Sequence, residues 1–413
     1  KGDGDVMQEQ QDTARGIVIV GAGQAGARAA EAARSAGYAG RITLIGAEAH
    51  LPYERPQLSK EMLLDVEAPL QMVRDAEGWA ALNIDVVTGA RIVSGDIRKS
   101  VVVAEDGRLF FYDKLLIATG TAARRLPALE AGPLPVLTLR TIEDALALRA
   151  HLRPGLRLAV VGGGVIGLEA AAAATKMGAT VTVIEAAATL LSRALPPVVS
   201  DFLRARHEQA GVVFRLGQPP ISATAEGVVL ASGEVVPADL ILVGIGVEPE
   251  LDLARSLGLE IDSGIKVDGH GRTSVHNVFA AGDVVSQWCA WHGRAMRIET
   301  WANAQNQAAA AARSMVGELT AYQDAPWFWT NQYELNIQVV GNAVGGEVVV
   351  RGTPAGGRFS VANLVAGEVV GAVTVNMPKD MASLRRLVAA RRSLAADELK
   401  DPGFDLRRAA AVR

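Results

Sequence analysis

The chain has 413 residues, of which 49% are apolar and 21% charged, and its formal net charge is −4 at pH 7. That length exceeds one ordinary hydrophobic core and predicts two or three domains. The charge argues against general nucleic-acid binding, and no apolar run approaches the roughly 20 residues of a membrane span.

The chain contains one cysteine, Cys289, and six histidines. A single cysteine excludes a disulfide within the chain and is typical of a reducing compartment, so we expect a cytoplasmic protein in which Cys289 is structural. The histidines show no metal-ligand spacing, so we predict no metal site.

Residues 1–15 are polar and acidic, which predicts a disordered tail. The apolar residues 16–20 predict a buried strand that breaks at Gly21-Ala-Gly23-Gln-Ala-Gly26, before a helix over 27–36 and a strand over 41–45. In such a motif the first glycine makes a tight turn, the second lets the backbone approach a pyrophosphate, and the third lets helix pack on strand. The pattern predicts a dinucleotide site. Its candidate ribose ligand is Glu48, and a solvated loop carboxylate is the alternative.

The next region carries weaker signals. Two β-rich stretches, 85–88 and 100–104, with the turn Glu105-Asp-Gly107, predict an antiparallel excursion. A buried strand then ends on Ala118-Thr119-Gly120. We expect the chain to leave its first domain there.

The glycine motif recurs as Gly162-x-Gly164-x-x-Gly167, after a strand over 158–161 and before a helix over 168–177. A second strand, 179–184, ends on Glu185. A carboxylate there can accept hydrogen bonds from both ribose hydroxyls, and it would repel a 2′-phosphate. The second motif therefore predicts NAD rather than NADP.

Two later strands also end on glycine. One ends at Gly244-x-Gly246, which leaves bare backbone beside a ligand, and the other ends on Gly282-Asp283. Asp283 is placed to hydrogen-bond a sugar-like ribityl chain. A helix over 302–315 follows, whose N-terminus could stabilise negative charge on a flavin.

Two Rossmann-type half-motifs in one chain predict two dinucleotides and electron transfer between them. The usual pair is FAD on the first motif and NAD(P)H on the second. Lys60 ends the proline-containing loop LPYERPQLSK. It could donate to a flavin or pair with an acid near the flavin N5, and a solvated surface lysine is the alternative.

The predicted fold class is α/β, with two Rossmann-type nucleotide-binding domains and an α+β C-terminal domain. We place the FAD-binding domain at 16–121 and 249–321, the NAD-binding domain at 122–248, and the C-terminal domain at 322–413. Residues 122–135, rich in Pro, Ala and Gly, are the predicted linker.

The motifs GAGQAG, LPYERPQLSK, ATG, VVGGGVIGLE, VGIGVEP, AAGD, RIETWANAQNQ and WFWTNQYELNIQVVG follow one another in that order. In this series the chain resembles the FAD-dependent ferredoxin reductases of Rieske-type aromatic-ring dioxygenase systems, of the biphenyl or phenylpropionate kind, and it is similar to the putidaredoxin reductases. The resemblance covers essentially everything after residue 15 and implies a glutathione-reductase-like fold.

The resemblance also implies site residues. Lys60 and Glu169 would form an ion pair beside the flavin N5, and Trp329 would lie against the isoalloxazine. The remaining FAD positions would be Gly21, Gly23, Ala25, Gly26, Glu48, Arg55, Ile92, Ala118, Thr119, Gly120, Arg140, Gly282, Asp283, Glu299 and Trp301. The NADH positions would be Gly162, Gly164, Val165, Ile166, Glu185 and Gly246. Many relatives carry an acid where Ala47 stands, which weakens the assignment of the ribose to Glu48.

The implied function is hydride transfer from NADH to FAD, followed by delivery of single electrons to a [2Fe–2S] ferredoxin that feeds a Rieske-type oxygenase. Such an enzyme would be a monomer or a homodimer. Basic residues of the C-terminal helical tail, namely Lys379, Arg385 and Arg386, are candidates for steering an acidic ferredoxin, and a solvated helix face explains them almost as well.

Several other functions stay open. A reductase of rubredoxin or another carrier would differ only in its docking surface. An NADH oxidase or peroxidase would normally use a cysteine soon after the first motif, and a flavin disulfide reductase needs two cysteines, whereas none lies between residues 21 and 288. A signalling flavoprotein resembling apoptosis-inducing factor would carry long basic regions for DNA, which this sequence lacks.

Overall fold

The computed structural model describes residues 15–65 and 67–411. The disordered tail predicted for 1–15 therefore lies, except for Arg15, outside the described residues.

The first part of the chain builds a parallel five-stranded sheet in the order β19-β7-β1-β2-β3. Its central strands are short, mostly apolar and mostly buried, as expected for a sheet covered on both faces. The elements are β1 (Ile17–Val20), α1 (Gln24–Ser35), β2 (Ile42–Ile45), α2 (Glu61–Leu64), α3 (Ala76–Ala81), β3 (Ile84–Val87), β4 (Ile92–Asp96), β5 (Val101–Ala104), β6 (Leu109–Phe111), β7 (Lys114–Ile117) and β8 (Thr121–Ala123).

One strand of this part was predicted wrongly. The stretch at 85–88 was expected in the antiparallel excursion, but it belongs to β3, which pairs in parallel with β2 in the main sheet. The excursion is the separate antiparallel sheet β4-β5-β6. The sequence signal for a strand was right, but strand direction depends on a partner about 40 residues away, which local pattern does not encode.

The second part repeats the design with the parallel sheet β12-β11-β10-β16-β9 and a small antiparallel sheet β13-β14-β15. The helix of the second motif begins at Val165, three residues before the predicted start. The elements are α4 (Pro127–Glu130), β9 (Val136–Leu137), α5 (Ile142–His151), β10 (Arg157–Val161), α6 (Val165–Lys176), β11 (Thr180–Glu185), α7 (Pro197–Gln209), β12 (Val213–Leu216), β13 (Pro220–Ala223), β14 (Gly227–Leu230), β15 (Val235–Pro237), β16 (Leu240–Val243) and β17 (Val247–Pro249).

The chain then returns to the first sheet through β19, which pairs in parallel with β7. The chain leaves the first unit through β8 and returns to it through β17. These two strands pair antiparallel, so the two connecting segments are hydrogen-bonded to each other. The elements of the return are α8 (Asp252–Ser256), β18 (Ile265–Lys266), β19 (Val278–Ala280), β20 (Val285–Cys289), β21 (Arg294–Arg297) and α9 (Trp301–Met315), of which α9 packs on α1. The domain boundaries proposed above stay a prediction.

The last part forms an antiparallel sheet in the order β22-β23-β26-β25-β24. Because side chains alternate along a strand, one face, including Ile337 and Phe359, packs on the second Rossmann unit, while Val340 and Ala372 pack under α10. The elements are β22 (Trp327–Gln332), β23 (Leu335–Gly341), β24 (Glu347–Thr353), β25 (Arg358–Val365), β26 (Glu368–Val375), α10 (Pro378–Ala389), α11 (Ala396–Lys400) and α12 (Leu406–Ala411).

The packing of this sheet on the second Rossmann unit can be tested at Ile337, which is 0% exposed. We expect Ile337→Ala to destabilise the protein by about 2–5 kcal/mol, because it leaves a cavity in a shared core. The control Val348→Ala, at a position 39% exposed on β24, should change stability by no more than about 0.5 kcal/mol. Thermal melting followed by circular dichroism measures both, and equal shifts for the two variants would contradict the packing described.

Candidate functional site

The first glycine motif has the geometry of a phosphate cradle. A Cβ on Gly21 would lie 2.1 Å from the Ala118 carbonyl oxygen, and one on Gly26 would lie 1.8 Å from the Gly21 oxygen. Nothing lies within 4 Å of the corresponding position on Gly23, which caps α1 without a side-chain hydrogen bond. The turn is therefore closed on the protein side and open on the ligand side, where the α1 N-terminus offers N–H groups to an anion.

The second motif repeats this arrangement. A Cβ on Gly162 would lie 2.4 Å from the Gly244 oxygen, and one on Gly167 would lie 2.2 Å from the Gly162 oxygen, whereas Gly164 meets only an atom at 3.8 Å. Val165 and Ile166 begin α6 beside this opening, and the Ile166 side chain is 42% exposed. The residues present thus fit a second dinucleotide.

Glu185 is fixed beside the second motif. Its two carboxylate oxygens accept hydrogen bonds from the backbone N–H groups of Gly163 and Ala187, each 2.7 Å long. Gly246, with φ +101°, has open space around it in the turn between β16 and β17. The strand ends of β10, β11 and β16 therefore share one edge of the sheet, where ligands of such sheets bind.

Glu48 is not a free loop carboxylate. It forms an ion pair with Arg55 and accepts a 2.6 Å hydrogen bond from the Tyr53 hydroxyl. Burial raises the pKa of Tyr53, which keeps that hydroxyl a donor. Both oxygens of Glu48 are occupied by this cluster, and its role toward a ribose stays a prediction.

Arg140 and Asp283 are brought together from segments 143 residues apart. The Arg140 Nη2 lies 3.4 Å from the Asp283 carboxylate, and its Nε donates to the Thr121 carbonyl. Burial lowers the pKa of Arg140 and raises that of Asp283, and the attraction between the two opposes both shifts. A buried charged pair of this kind has hydrogen-bonding capacity left, which the hydroxyl groups of a polar ligand chain could satisfy.

The other predicted FAD positions fall into two groups: those next to the Arg140–Asp283 pair in sequence or space, and those elsewhere in the fold. Thr119 donates to the Glu250 carbonyl, Gly120 has φ +70° next to Arg140, and a Cβ on Gly282 would lie 2.8 Å from that of Ala25. Ile92 is half-buried on β4, and Glu299 is paired with Arg297 at 2.8 Å.

The predicted ion pair is present. The Lys60 Nζ lies 3.2 Å from Glu169 Oε1, although Lys60 belongs to the loop before α2 and Glu169 to α6. Glu169 is 3% exposed, and its oxygens accept further hydrogen bonds from the hydroxyls of Ser59 and Thr330. Neither hydroxyl residue was predicted from the sequence, because each meets Glu169 only through the tertiary fold.

Aromatic side chains continue the site toward α10. The rings of Trp301 and Trp329 meet edge to face at 5.6 Å, and Trp329 stacks on Trp327 at 5.2 Å. Trp301 Nε1 also donates to the Glu54 carboxylate. The Arg385 guanidinium lies 4.6 Å from the centre of the Trp327 ring. Trp327 was not predicted, although its spacing of two from Trp329 on a strand places both on one face.

His207, also missed, is buried on α7. Its Nε2 donates to the Gln332 side-chain oxygen at 2.7 Å, and its Nδ1 accepts from the Tyr333 hydroxyl at 3.2 Å. Burial lowers the pKa of His207 to about 4, so the imidazole is neutral.

In the described residues, 15–65 and 67–411, there is no group of three or more metal-ligating side chains. No helix in the same ranges is long and apolar enough to cross a membrane.

Comparison with known proteins places these features in a family. Residues 15–308 match the pyridine nucleotide-disulphide oxidoreductase family, and residues 327–410 match the reductase C-terminal family. The chain is 45% identical to the ferredoxin–NAD(+) reductase component of the p-cumate 2,3-dioxygenase system of Pseudomonas putida, over 95% of this chain and 97% of that protein. It is 39% identical to the corresponding component of the biphenyl dioxygenase system of Paraburkholderia xenovorans, over 95% and 97%.

Solved structures agree. A ferredoxin reductase from Rhodopseudomonas palustris superposes with a TM-score of 0.92 at 35% identity, covering 96% of this chain and 99% of that one. The covalent putidaredoxin reductase–putidaredoxin complex gives 0.91 at 34% identity, covering 96% and 98%. The predicted fold class and the predicted resemblance are confirmed.

The neutral state of His207 predicts a pH dependence of stability. Its pKa is about 4 in the folded protein against 6.5 for the free side chain, so the unfolded chain binds the proton more readily. The contribution to stability is complete above pH 6.5 and is lost as pH falls toward 4, by about 3 kcal/mol in total. Thermal melting between pH 7 and 4 should therefore show a shallower decline for His207→Gln than for the unchanged protein. The exposed control His276→Gln should follow the unchanged protein. Parallel curves for all three would contradict a neutral buried His207.

Proposed function

Since the chain belongs to the pyridine nucleotide-disulphide oxidoreductase family, we propose that it takes hydride from NADH and delivers single electrons to a [2Fe–2S] ferredoxin that feeds a Rieske-type oxygenase. The chain is an oxidoreductase and a flavoprotein that uses FAD and NAD(H). The observation that carries the proposal is the presence of two nucleotide motifs, a Lys60–Glu169 ion pair and a tryptophan cluster in a chain with one cysteine.

FAD would be held by the open turn at Gly23, with its pyrophosphate at the α1 N-terminus, and by Arg140 and Asp283 along its ribityl chain. Bound there, FAD supplies the acceptor for a hydride and the donor of single electrons. α9 begins at Trp301 and is capped by Thr300, and its N-terminus would stabilise negative charge on the flavin.

NADH would be held by the second motif. Glu185, fixed by two backbone N–H groups, would accept hydrogen bonds from the adenosine ribose and repel a 2′-phosphate. The protein would contribute to the rate mainly by holding the two dinucleotides close together, because the hydride transfer itself takes place between the two cofactors.

Electrons would leave through the tryptophan side. Trp301 and Trp329 exclude water from the site, and Trp327 extends the aromatic path toward α10. Arg385 covers Trp327, and Lys379, Arg386 and Arg407 line a neighbouring groove of about 460 Å³. This basic surface complements an acidic ferredoxin.

The finer points stay proposals: the type of iron–sulfur centre, the monomeric or homodimeric state, and the cytoplasmic location. Rubredoxin is the acceptor named for a solved oxidoreductase from Clostridium acetobutylicum, but that chain is 22% identical and shares the fold alone. An oxidase remains an outcome of the test below.

Anaerobic mixing with NADH tests the proposal directly. The yellow flavin absorbance of the holoprotein should be lost on adding one equivalent of NADH. The reduced protein should then reduce a [2Fe–2S] ferredoxin quickly, whereas in a separate experiment it should be reoxidised only slowly by air. NADPH at the same concentration should bleach it at least about 10-fold more slowly, because of Glu185. Rapid oxygen consumption without a carrier would overturn the reductase and favour an oxidase.

The docking surface can be tested by charge reversal. Arg385→Glu should raise the KM for ferredoxin about 10-fold at low ionic strength, and the effect should shrink in high salt because charges on this surface are screened. The matched reversal Lys99→Glu, in the turn between β4 and β5, changes the net charge equally and should leave KM unchanged. Steady-state ferredoxin reduction at two salt concentrations measures both variants. Equal effects of the two reversals would show that net charge matters and not this surface.

A further inference from the structure

Glu169 is the one Asp or Glu in residues 15–65 and 67–411 with less than 9% of its surface exposed. A buried carboxylate is costly unless it is paired and hydrogen-bonded. Glu169, on α6, meets that requirement with groups from two other parts of the chain: Ser59 and Lys60 before α2, and Thr330 on β22.

A chain of hydrogen bonds extends from Glu169 into the second Rossmann unit. The Tyr333 hydroxyl donates to His207, His207 to the Gln332 oxygen, the Gln332 amide to Thr330, and Thr330 to Glu169. Every donor in the series therefore points toward the carboxylate. An amide side chain gives up protons too reluctantly to relay them, so this chain orients Glu169 and offers no route for a proton to leave.

A cavity of about 140 Å³ lies beside Glu169, between α2, α6 and β22. Ser59, Glu169 and Gln332 are buried members of its wall, whereas Glu61, Leu64 and Asn331 are exposed members. The small side chains Ala172 and Ala173 of α6 complete the wall and leave the space open. The cavity has polar groups in its wall and is large enough for water.

The proposed reaction requires such a route. The hydride of NADH carries two electrons and one proton, and two ferredoxins accept one electron each. For each NADH oxidised to NAD⁺, two ferredoxins are reduced and one proton must pass to solvent.

We propose that this cavity is the proton exit of the enzyme. The reduced flavin would lose the proton of its N5–H bond as it gives up its two electrons, and Glu169 would take that proton on a carboxylate oxygen and pass it to water in the cavity. The inference rests on the proposed function. Lys60 holds the carboxylate in place, and Lys60 and Lys176 both line the cavity, with Lys176 on its exposed side. Thr330, Gln332 and His207 are positioning residues.

The test separates the proton from ferredoxin docking. Holoprotein reduced anaerobically with one equivalent of NADH is mixed in a stopped-flow instrument with ferricyanide, which accepts single electrons and no protons. A pH-indicator dye in weak buffer reports proton release, and flavin absorbance reports electron loss. The measurement is repeated in D₂O.

Filling the cavity is the first variant. Ala173→Leu should slow proton release at least about 10-fold relative to Ala173→Ser, which keeps the space open. Both variants should bleach with NADH at similar rates, since α6 keeps its backbone. Unchanged proton release in a folded, NADH-bleached Ala173→Leu protein would overturn the exit route.

Removing the carrier is the second variant, independent of whether Ala173→Leu folds. Glu169→Gln should slow proton release by a similar factor. We expect D₂O to slow proton release in the unchanged protein, and this slowing should be absent in Glu169→Gln. Thr330→Val, which loses the hydrogen bond to Glu169, should slow release several-fold, and Thr330→Ser should restore it. Release at the normal rate in Glu169→Gln would overturn the role of Glu169.

Failure of the proposed function looks different. A protein that bleaches with NADH and reduces ferricyanide but no ferredoxin contradicts the proposed acceptor, while the dye still reports proton release. A protein that does not bleach with NADH contradicts the proposed function, and it is reduced with dithionite before the proton measurement.

Discussion

The buried carboxylate of Glu169 constrains how the parts of this protein meet. An unpaired charge at 3% exposure would cost several kcal/mol, so the loop with Ser59 and Lys60, helix α6 and strand β22 must arrive together for the charge to be satisfied. Each of these elements carries another functional group within a few residues: the Arg55 cluster, the second glycine motif, and Trp329. In the proposed reaction, the ion pair would thus fix the relative placement of the groups that take part.

The glycine motifs were the easiest part to predict, because their constraint is local. At Gly26 and Gly167 a Cβ would lie 1.8 and 2.2 Å from a carbonyl oxygen of the same turn, so the residue type is dictated within six positions of sequence. Strand, turn and helix therefore followed from pattern, and so did the acid at Glu185. The same reasoning failed at β3, where direction depends on pairing with β2, and at the starts of α1 and α6, which begin three residues before their predicted positions 27 and 168.

The rest of the site could not be predicted from local pattern, because its residues meet only in the folded protein. His207 and Gln332 lie 125 residues apart, and Thr330 and Glu169 lie 161 apart. Each is an ordinary polar residue in its own segment. The Lys60–Glu169 pair was expected only from a family resemblance, and its hydroxyl partners and cavity were not expected at all.

Strand β22 brings these results together. Its side chains alternate between two faces, with Trp327 and Trp329 on one and Thr330 and Gln332 on the other. The first face leads through stacked aromatic rings to the basic surface of α10, and the second leads to Glu169 and a water-sized cavity. In the proposed reaction, electrons would then leave past one face of β22 and the proton past the other. Such a separation suits an enzyme whose acceptor takes electrons alone, because a docked ferredoxin would cover the aromatic side and leave the proton exit open to solvent.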